Sequence, residues 1–421
     1  MNKLLSLLFV LLLVACGGTA PQGQVVQADV PRIESPDVSD AQVAQLVAGN
    51  QAFAFDLYHA VAAGEGGNLI YSPYSISLAF SMVYVGARGE VEAEMAQVLH
   101  LMSQETQHPA LNAVDQRLRS LGEARQSEQE GAPFQLNLAN AVWGQQGYAF
   151  QEPFLETLAT QYGAGLRAVD FQEAAEKARE AINAWVTEET RGRINEIAPP
   201  GSVSPVTRLV LANAIYFKAG WAYRFQESDT ADGPFTLLDG RRVTVPLMHQ
   251  KMRLEYMAGE GYQAVQLPYV GRAVDMWVIL PAEGRFEEVQ ERLGVDLLEE
   301  VRQEAGAWQV ILTLPRFGFG TDLQLHELLP GMGMPDAFCP AMDFDGMVEG
   351  GGLCIGCALH RATITVDEEG TEAAAATIAE VLVSEVQDVE MAVDRPFLFA
   401  IIERETGVLL FLGRVLNPAV R

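Results

Sequence analysis

The chain has 421 residues, 49% of them hydrophobic, enough for a sizeable core and, by length alone, for two or three domains. Its formal charge of −27 repels phosphate backbones and argues against nucleic acid as a partner. It argues equally against heparin-like polyanions, because basic pairs such as Arg241-Arg242 stand isolated; the acidity reads as solubility at neutral pH.

Residues 1–15 read as a signal peptide. Lys3 supplies a positive start, and Leu4 to Ala15 is a nearly continuous apolar run, too short to span a bilayer. The run ends Leu13-Val14-Ala15-Cys16-Gly17, which resembles a bacterial lipobox in which the cysteine is acylated and becomes the mature N-terminus. Ordinary cleavage near Ala15 is the alternative. Acyl chains on Cys16 would hold an exported protein on a membrane surface, each buried CH₂ contributing about 0.8 kcal/mol; without them it is secreted. Residues 16–41, rich in Gly, Pro, Gln, Val and Asp, are expected to form the lipidated N-terminus and a flexible tether.

From Ala41 the apolar spacing predicts a helix, with Asp40 as its N-cap. A second helix is predicted after Ser72-Pro73 to beyond Met82, and a third over Val91–Leu101. Strands are predicted at Arg208–Phe217, Ala273–Leu280, Trp308–Leu314, Ala362–Val366 and Val408–Val415, all rich in β-branched and aromatic residues. Helices in the first half and long strands in the second point to one α+β domain over residues 42–421, with no internal repeat. Near the C-terminus, Asp367-Glu368-Glu369-Gly370-Thr371-Glu372 runs into four alanines and Thr377. Alanine favours helix, but a glycine pivot followed by small side chains also suits a segment that changes conformation.

The sequence offers little chemistry of its own. His326-Glu327 starts like a zinc-binding helix, but Pro330 stands where the second histidine belongs. There is no G-x-S-x-G and no phosphate-binding loop, and the six histidines are scattered. No enzymatic activity, metal or cofactor is expected. Cys354 and Cys357 form a C-x-x-C with Cys339 upstream. A thiol redox site, half a zinc site and a structural disulfide between two of the three cysteines all remain open, the disulfide fitting an exported protein.

Over residues 42–421 the chain resembles the serpin family, in motifs that follow the family's order. Asn68 to Ser77 (NLIYSPYSIS), Asn140-Ala141-Val142-Trp143, Leu209 to Trp221 (LVLANAIYFKAGW), His360-Arg361-Ala362 running into Val366 to Ala374 (VDEEGTEAA), Arg395 to Phe399 (RPFLF) and Phe411 to Pro418 (FLGRVLNP) carry the resemblance. It implies three β-sheets, about nine helices and an exposed reactive loop at about residues 368–390. It also implies a mechanism in which a target protease cleaves the loop, forms an acyl-enzyme and is trapped as the loop inserts as a new strand of the large sheet. The hinge of that loop would be Glu368, Glu369, Gly370, Thr371, Glu372, Ala373, Ala374, Ala375, Ala376 and Thr377. Ser72, Ser75, Asn213 and His360 match the polar shutter beneath the opening strands, and Trp221 the breach where the hinge enters.

The residue pattern supports insertion independently. Thr371, Ala373, Ala375, Thr377, Ala379, Val381 and Val383 share one parity and carry no charge, whereas Glu372 and Glu380 fall on the other. The run from Thr371 to Gln387 contains no proline, so every amide could join a ladder. Because the small-residue hinge is intact, an inhibitory serpin is expected, with a non-inhibitory carrier of the same fold as the alternative. Counting sixteen residues on from Glu368 gives Ser384 as the residue before the scissile bond, with Glu385 after it; the loop length leaves Val383 and Glu385 as alternatives for that position. A small residue there suits elastase- or subtilisin-like serine proteases, while a papain-like target also forms the acyl-enzyme the trap needs. The protein is expected to act as a monomer.

Overall fold

The computed structural model describes residues 23–64, 66–123, 135–339, 343–371 and 388–420. Among these are nine α-helices and two hydrogen-bonded sheets, an α+β architecture. The first long helix, Asp40–Ala62, is capped by Ser39 rather than Asp40: the Gln42 N–H donates to Ser39 Oγ and the Ser39 N–H to Gln42 Oε1. Asp40 lies in the first turn instead, where a carboxylate favours the helix dipole. The helix Pro73–Tyr84 starts with proline at its first position, which has no amide to satisfy, and every residue in it is buried.

The seven-stranded sheet holds the features that matter. Its order is Gln24–Val26, Leu166–Val169, Gln135–Gln145, Leu209–Gly220, Gly370–Thr371, Cys357–Val366 and Phe317–Gln324. Leu209–Gly220 is buried along nearly its whole length because both faces are covered, which explains its unbroken apolar run. On one face Pro73–Tyr84 packs beneath Gln135–Gln145 and Leu209–Gly220; Phe171–Glu189 also packs on these two strands.

Two expectations change. Part of the predicted tether is docked: Gln24–Val26 pairs antiparallel with Leu166–Val169 at the sheet edge, and Arg32 binds Asn112 and Asp115 at 2.9 and 2.7 Å. The second sheet has nine strands and merges two of the three sheets expected. The 18-residue strand Arg242–Gly259 joins them, pairing through its first part with Thr230–Thr236 and through its last with Tyr262–Pro268. No helix among the described residues is long and apolar enough to cross a membrane.

Candidate functional site

The site is the seam between Leu209–Gly220 and Cys357–Val366. Over Cys357–Thr363 these strands pair directly and in parallel, from Cys357 opposite Val210 to Thr363 opposite Tyr216. Above that they part, and Gly370–Thr371 stands between them. Gly370 pairs antiparallel with Gly220 and Thr371 with Ala219, while on the other side Thr371 pairs antiparallel with Val366. Gly370 and Thr371, just ahead of the alanines, therefore enter the sheet as strand. Glu372, Ala373, Ala374, Ala375, Ala376 and Thr377, like Ser384, Glu385 and Cys16, lie outside the described residues.

Glycine is required at position 370. Its φ is 153°, and a Cβ there would come within 2.2 Å of the Ala219 carbonyl oxygen. The turn into it is held by Asp367, whose Oδ1 accepts from the Glu369 and Gly370 amides at 3.0 and 3.2 Å. Thr371 is fully buried and its hydroxyl meets the Tyr269 hydroxyl at 2.8 Å. Burial raises the Tyr269 pKa, so the phenol stays protonated.

Trp221 closes the top of the seam. It is buried, stacks on Tyr269 at 4.6 Å between centroids, and donates from Nε1 to the Asp367 carbonyl at 3.0 Å and from its amide to the Glu369 carbonyl at 2.8 Å. Glu368 is buried beside it, bonded to the Arg316 guanidinium, with Nε at 2.7 Å, and to the Thr230 hydroxyl. Burial alone would raise the Glu368 pKa, but these donors outweigh it and hold the carboxyl below its usual value. Glu369 is half-buried.

Lower down, the polar residues predicted to cluster do so. Asn213 sits opposite His360 in one ladder and opposite Asn140 in the other. Asn213 donates from Nδ2 to the Ser75 carbonyl at 2.9 Å, to Ser75 Oγ at 2.5 Å and to Asn140 Oδ1. His360 Nε2 accepts the Ser72 amide at 3.2 Å, which places the ring proton on Nδ1, where it bonds Asn213 Oδ1. Ser72 also caps the helix below, its Oγ accepting the Ser75 amide at 3.1 Å. Burial pushes the His360 pKa down to about 3, so the imidazole is neutral at physiological pH. All four predicted residues are at most 1% exposed, and each finds a partner, as buried polar groups require.

Sequence reasoning missed Asn140, Arg316, Thr230 and Tyr269. A polar side chain in a strand of buried apolar residues could have marked Asn140. Arg316 and Thr230 reach Glu368 from 52 and 138 positions away, with no local signal.

The cysteine alternatives resolve. Cys339 and Cys354 form a disulfide and Cys357 is a free, buried thiol. Burial pushes the Cys357 pKa up to about 12, which disables it as a nucleophile. The C-x-x-C is thus not a redox pair: one cysteine is bonded elsewhere and the other stays a thiol.

The comparisons with known proteins agree with this geometry. The sequence profile described as "Serpin (serine protease inhibitor)" matches residues 48–418. An uncharacterized serpin-like protein of Thermococcus kodakarensis is 40% identical, covering 92% of this chain and 89% of its own. The leukocyte elastase inhibitor of Bos taurus is 37% identical over 89% of this chain and 100% of its own. A solved Arabidopsis serpin in its native stressed conformation superposes with a TM-score of 0.79 at 29% identity, covering 89% of this chain and 98% of that one. With a profile match across most of its length and relatives of this identity, the chain belongs to the serpin family of serine protease inhibitors.

Proposed function

We propose that the protein is an irreversible suicide-substrate inhibitor of serine endopeptidases with small-residue specificity, of the elastase or subtilisin kind. The observation that carries the reading is the antiparallel pairing of Gly370 and Thr371 with both neighbouring strands. The loop has started on the path that insertion would complete. Further insertion would replace one parallel seam by two antiparallel ones, and antiparallel pairing is slightly the more stable per residue. Continued one residue for one, the register sets Val381 against Leu209, where the strand begins, and Ser384 three residues beyond. Ser384 lies thirteen positions beyond Thr371, so full insertion would leave an acyl-enzyme on Ser384 about 44 Å from Thr371, at about 3.4 Å per residue. The leukocyte elastase inhibitor among the relatives supports a small-pocket target.

Export with a lipid on Cys16 belongs to the same proposal. The lipobox-like sequence and the Cys339–Cys354 disulfide, a bond suited to an oxidising compartment, support it. The test is a panel of elastase-, subtilisin- and papain-like proteases mixed with the protein. An SDS-resistant complex with a serine protease, and a released peptide beginning at Glu385, is the expected result. Loop cleavage by every protease without any complex would sink the reading.

A further inference from the structure

The N-terminal segment is fastened to the large sheet far closer to Cys16 than a free tether over residues 16–41 would be. Val25 pairs with Arg167, Arg167 with Trp143, Trp143 with Val210 and Val210 with Cys357, so one rung runs from the docked strand to the foot of the seam. Gln24 lies one step lower, on the rung of Ala168, Gly144 and Leu209. A Cβ on Gly23 would stand 3.0 Å from Val169 Cγ1, so the chain is seated up to that residue. Above the strand, Arg32 holds Asn112 and Asp115, and the Ile33 carbonyl accepts from Asn112 Nδ2 at 2.9 Å and Gln116 Nε2 at 2.7 Å. The chain upstream of Gly23 therefore leaves the body at the foot of the sheet. The hinge enters at the other end: Gly370 faces Gly220, ten positions above Val210, about 33 Å away at about 3.3 Å per residue.

These positions set three lengths against one another. Cys16 to Gly23 is seven residues, a reach of at most about 25 Å. A folded body of this chain length is roughly 55 Å across. A lipid on Cys16 thus keeps the foot of the sheet beside the bilayer, and the chain is too short to turn the loop end toward it. Full insertion reverses the arrangement for the protease. The register puts Ser384 three residues below Leu209, four strand spacings, or about 19 Å, to the side of the docked strand.

We infer that the docked N-terminal strand orients the anchored protein, so that the reactive loop meets proteases on the side away from the membrane and trapping carries the protease to the membrane-facing end. The inference rests on the inhibitory reading and on the lipid at Cys16, both proposed above.

The test uses the chain from Cys16 onward on lipid vesicles. Of the four cysteines, Cys339 and Cys354 are bonded and Cys357 is buried, so a maleimide lipid couples through Cys16. Energy transfer is read from a dye on an elastase-like protease to a headgroup dye in the bilayer. A protease whose nucleophilic serine is changed to alanine occupies the loop without cutting it and should give low transfer. The active protease, once trapped, should give transfer several-fold higher. Inserting about 20 Gly and Ser residues between Thr19 and Ala20, which extends the reach past the width of the body, should erase most of that difference. Equal transfer from bound and trapped protease, higher transfer from the bound one, or a difference that survives the insertion undiminished would overturn the inference. Failure of the parent readings looks different. No SDS-resistant complex, on vesicles or free, removes trapping, and an exported protein whose Cys16 carries no acyl mass removes the anchor; either takes the inference with it.

Discussion

Replacing Thr371 by arginine tests the mechanism at its first step. Thr371 is fully enclosed between Ala219 and Val366, with its hydroxyl on Tyr269. Arginine there would bury a guanidinium with no carboxylate bonded at that spot and leave the Tyr269 hydroxyl unmatched. The effective penalty for an unpaired buried ion is several kcal/mol. Because Thr371 belongs to a strand of only two residues, the hinge can yield and let the long side chain lean toward water, which lowers the net to about 3 kcal/mol. At about 1.4 kcal/mol per factor of ten, insertion should slow roughly 100-fold. Deacylation of the trapped protease is untouched, so it overtakes insertion and the variant is turned over as a substrate. The assay is the stoichiometry of SDS-resistant complex against an elastase-like protease that the parent protein traps, with Thr371→Ser as the conservative control. Cleavage of Thr371→Arg should give fragments and little complex, and its melting temperature should not rise after cleavage. A variant that traps at the parent stoichiometry would refute the buried parity on which the proposed mechanism stands.

Gly370→Ala should expel the hinge, because a Cβ would strike the Ala219 carbonyl; a lower melting temperature of the native form and faster proteolysis within 367–371 are expected, and an unchanged melting curve would contradict the close approach. Stability should fall in acid for a reason tied to two histidines. His360 and His108 have pKa values depressed by burial to about 3 and about 4. Below pH 6.5 the unfolded chain takes up protons that the native rings refuse, so stability is lost as pH falls from about 6.5 toward 4, at up to about 1.4 kcal/mol per unit for each. Carboxylates titrate at the lower end of this window as well, so the measurement is a difference: His108→Gln should reduce the slope of urea stability against pH between 6.5 and 5, and an identical slope would exclude the ring. Reducing the Cys339–Cys354 disulfide releases a loop with a sequence separation of 15, worth about 3 kcal/mol in the chain-entropy account; Cys339→Ser with Cys354→Ser should lower the melting temperature accordingly, and no change would show that the loop is held by its packing alone.

What the sequence made legible was whatever local pattern encodes. Strands such as Leu209–Gly220 and Leu409–Val415 announce themselves as nearly continuous apolar runs with aromatic residues, the pattern of a strand buried on both faces. Of the hinge, Thr371 is buried as expected, but Gly370 beside it is buried too, and the alternation beyond them lies outside the described residues. Ser39 and Asp40 are both good caps, and only the reciprocal bonds with Gln42 separate them. The docked strand Gln24–Val26 was invisible: three residues carry no periodicity, and its partner Leu166–Val169 lies far along the chain. The Arg316–Glu368 pair was hidden for the same reason. The disulfide could not be chosen from spacing, because three cysteines allow three pairings; the fold decides it by placing Cys357 inside a strand, with its sulfur buried at 3.9 Å from His326 Nδ1.

The register at the top of the seam reaches further than the two residues that define it. Thr371 faces Ala219 on one side and Val366 on the other, both antiparallel. Six residues on from Thr371 is Thr377; six back from Ala219 is Asn213, and six back from Val366 is His360. Asn213 and His360 are themselves direct partners across the seam, so an inserting strand must break their bond at the point where Thr377 arrives. Thr377 shares the buried parity of Thr371, and its hydroxyl can both accept and donate. It can therefore bond both partners it has separated. Thr377→Val keeps the shape and removes this capacity, leaving Asn213 Oδ1 and His360 Nδ1 unmatched in the inserted form at about 1–3 kcal/mol each. The native form should melt as before. The loop-cleaved form should lose several degrees relative to the parent, and Thr377→Ser should restore them. Equal stability of cleaved parent and cleaved Thr377→Val would mean that the strand enters in another register, and with it would go the placement of Ser384 beyond the end of the sheet.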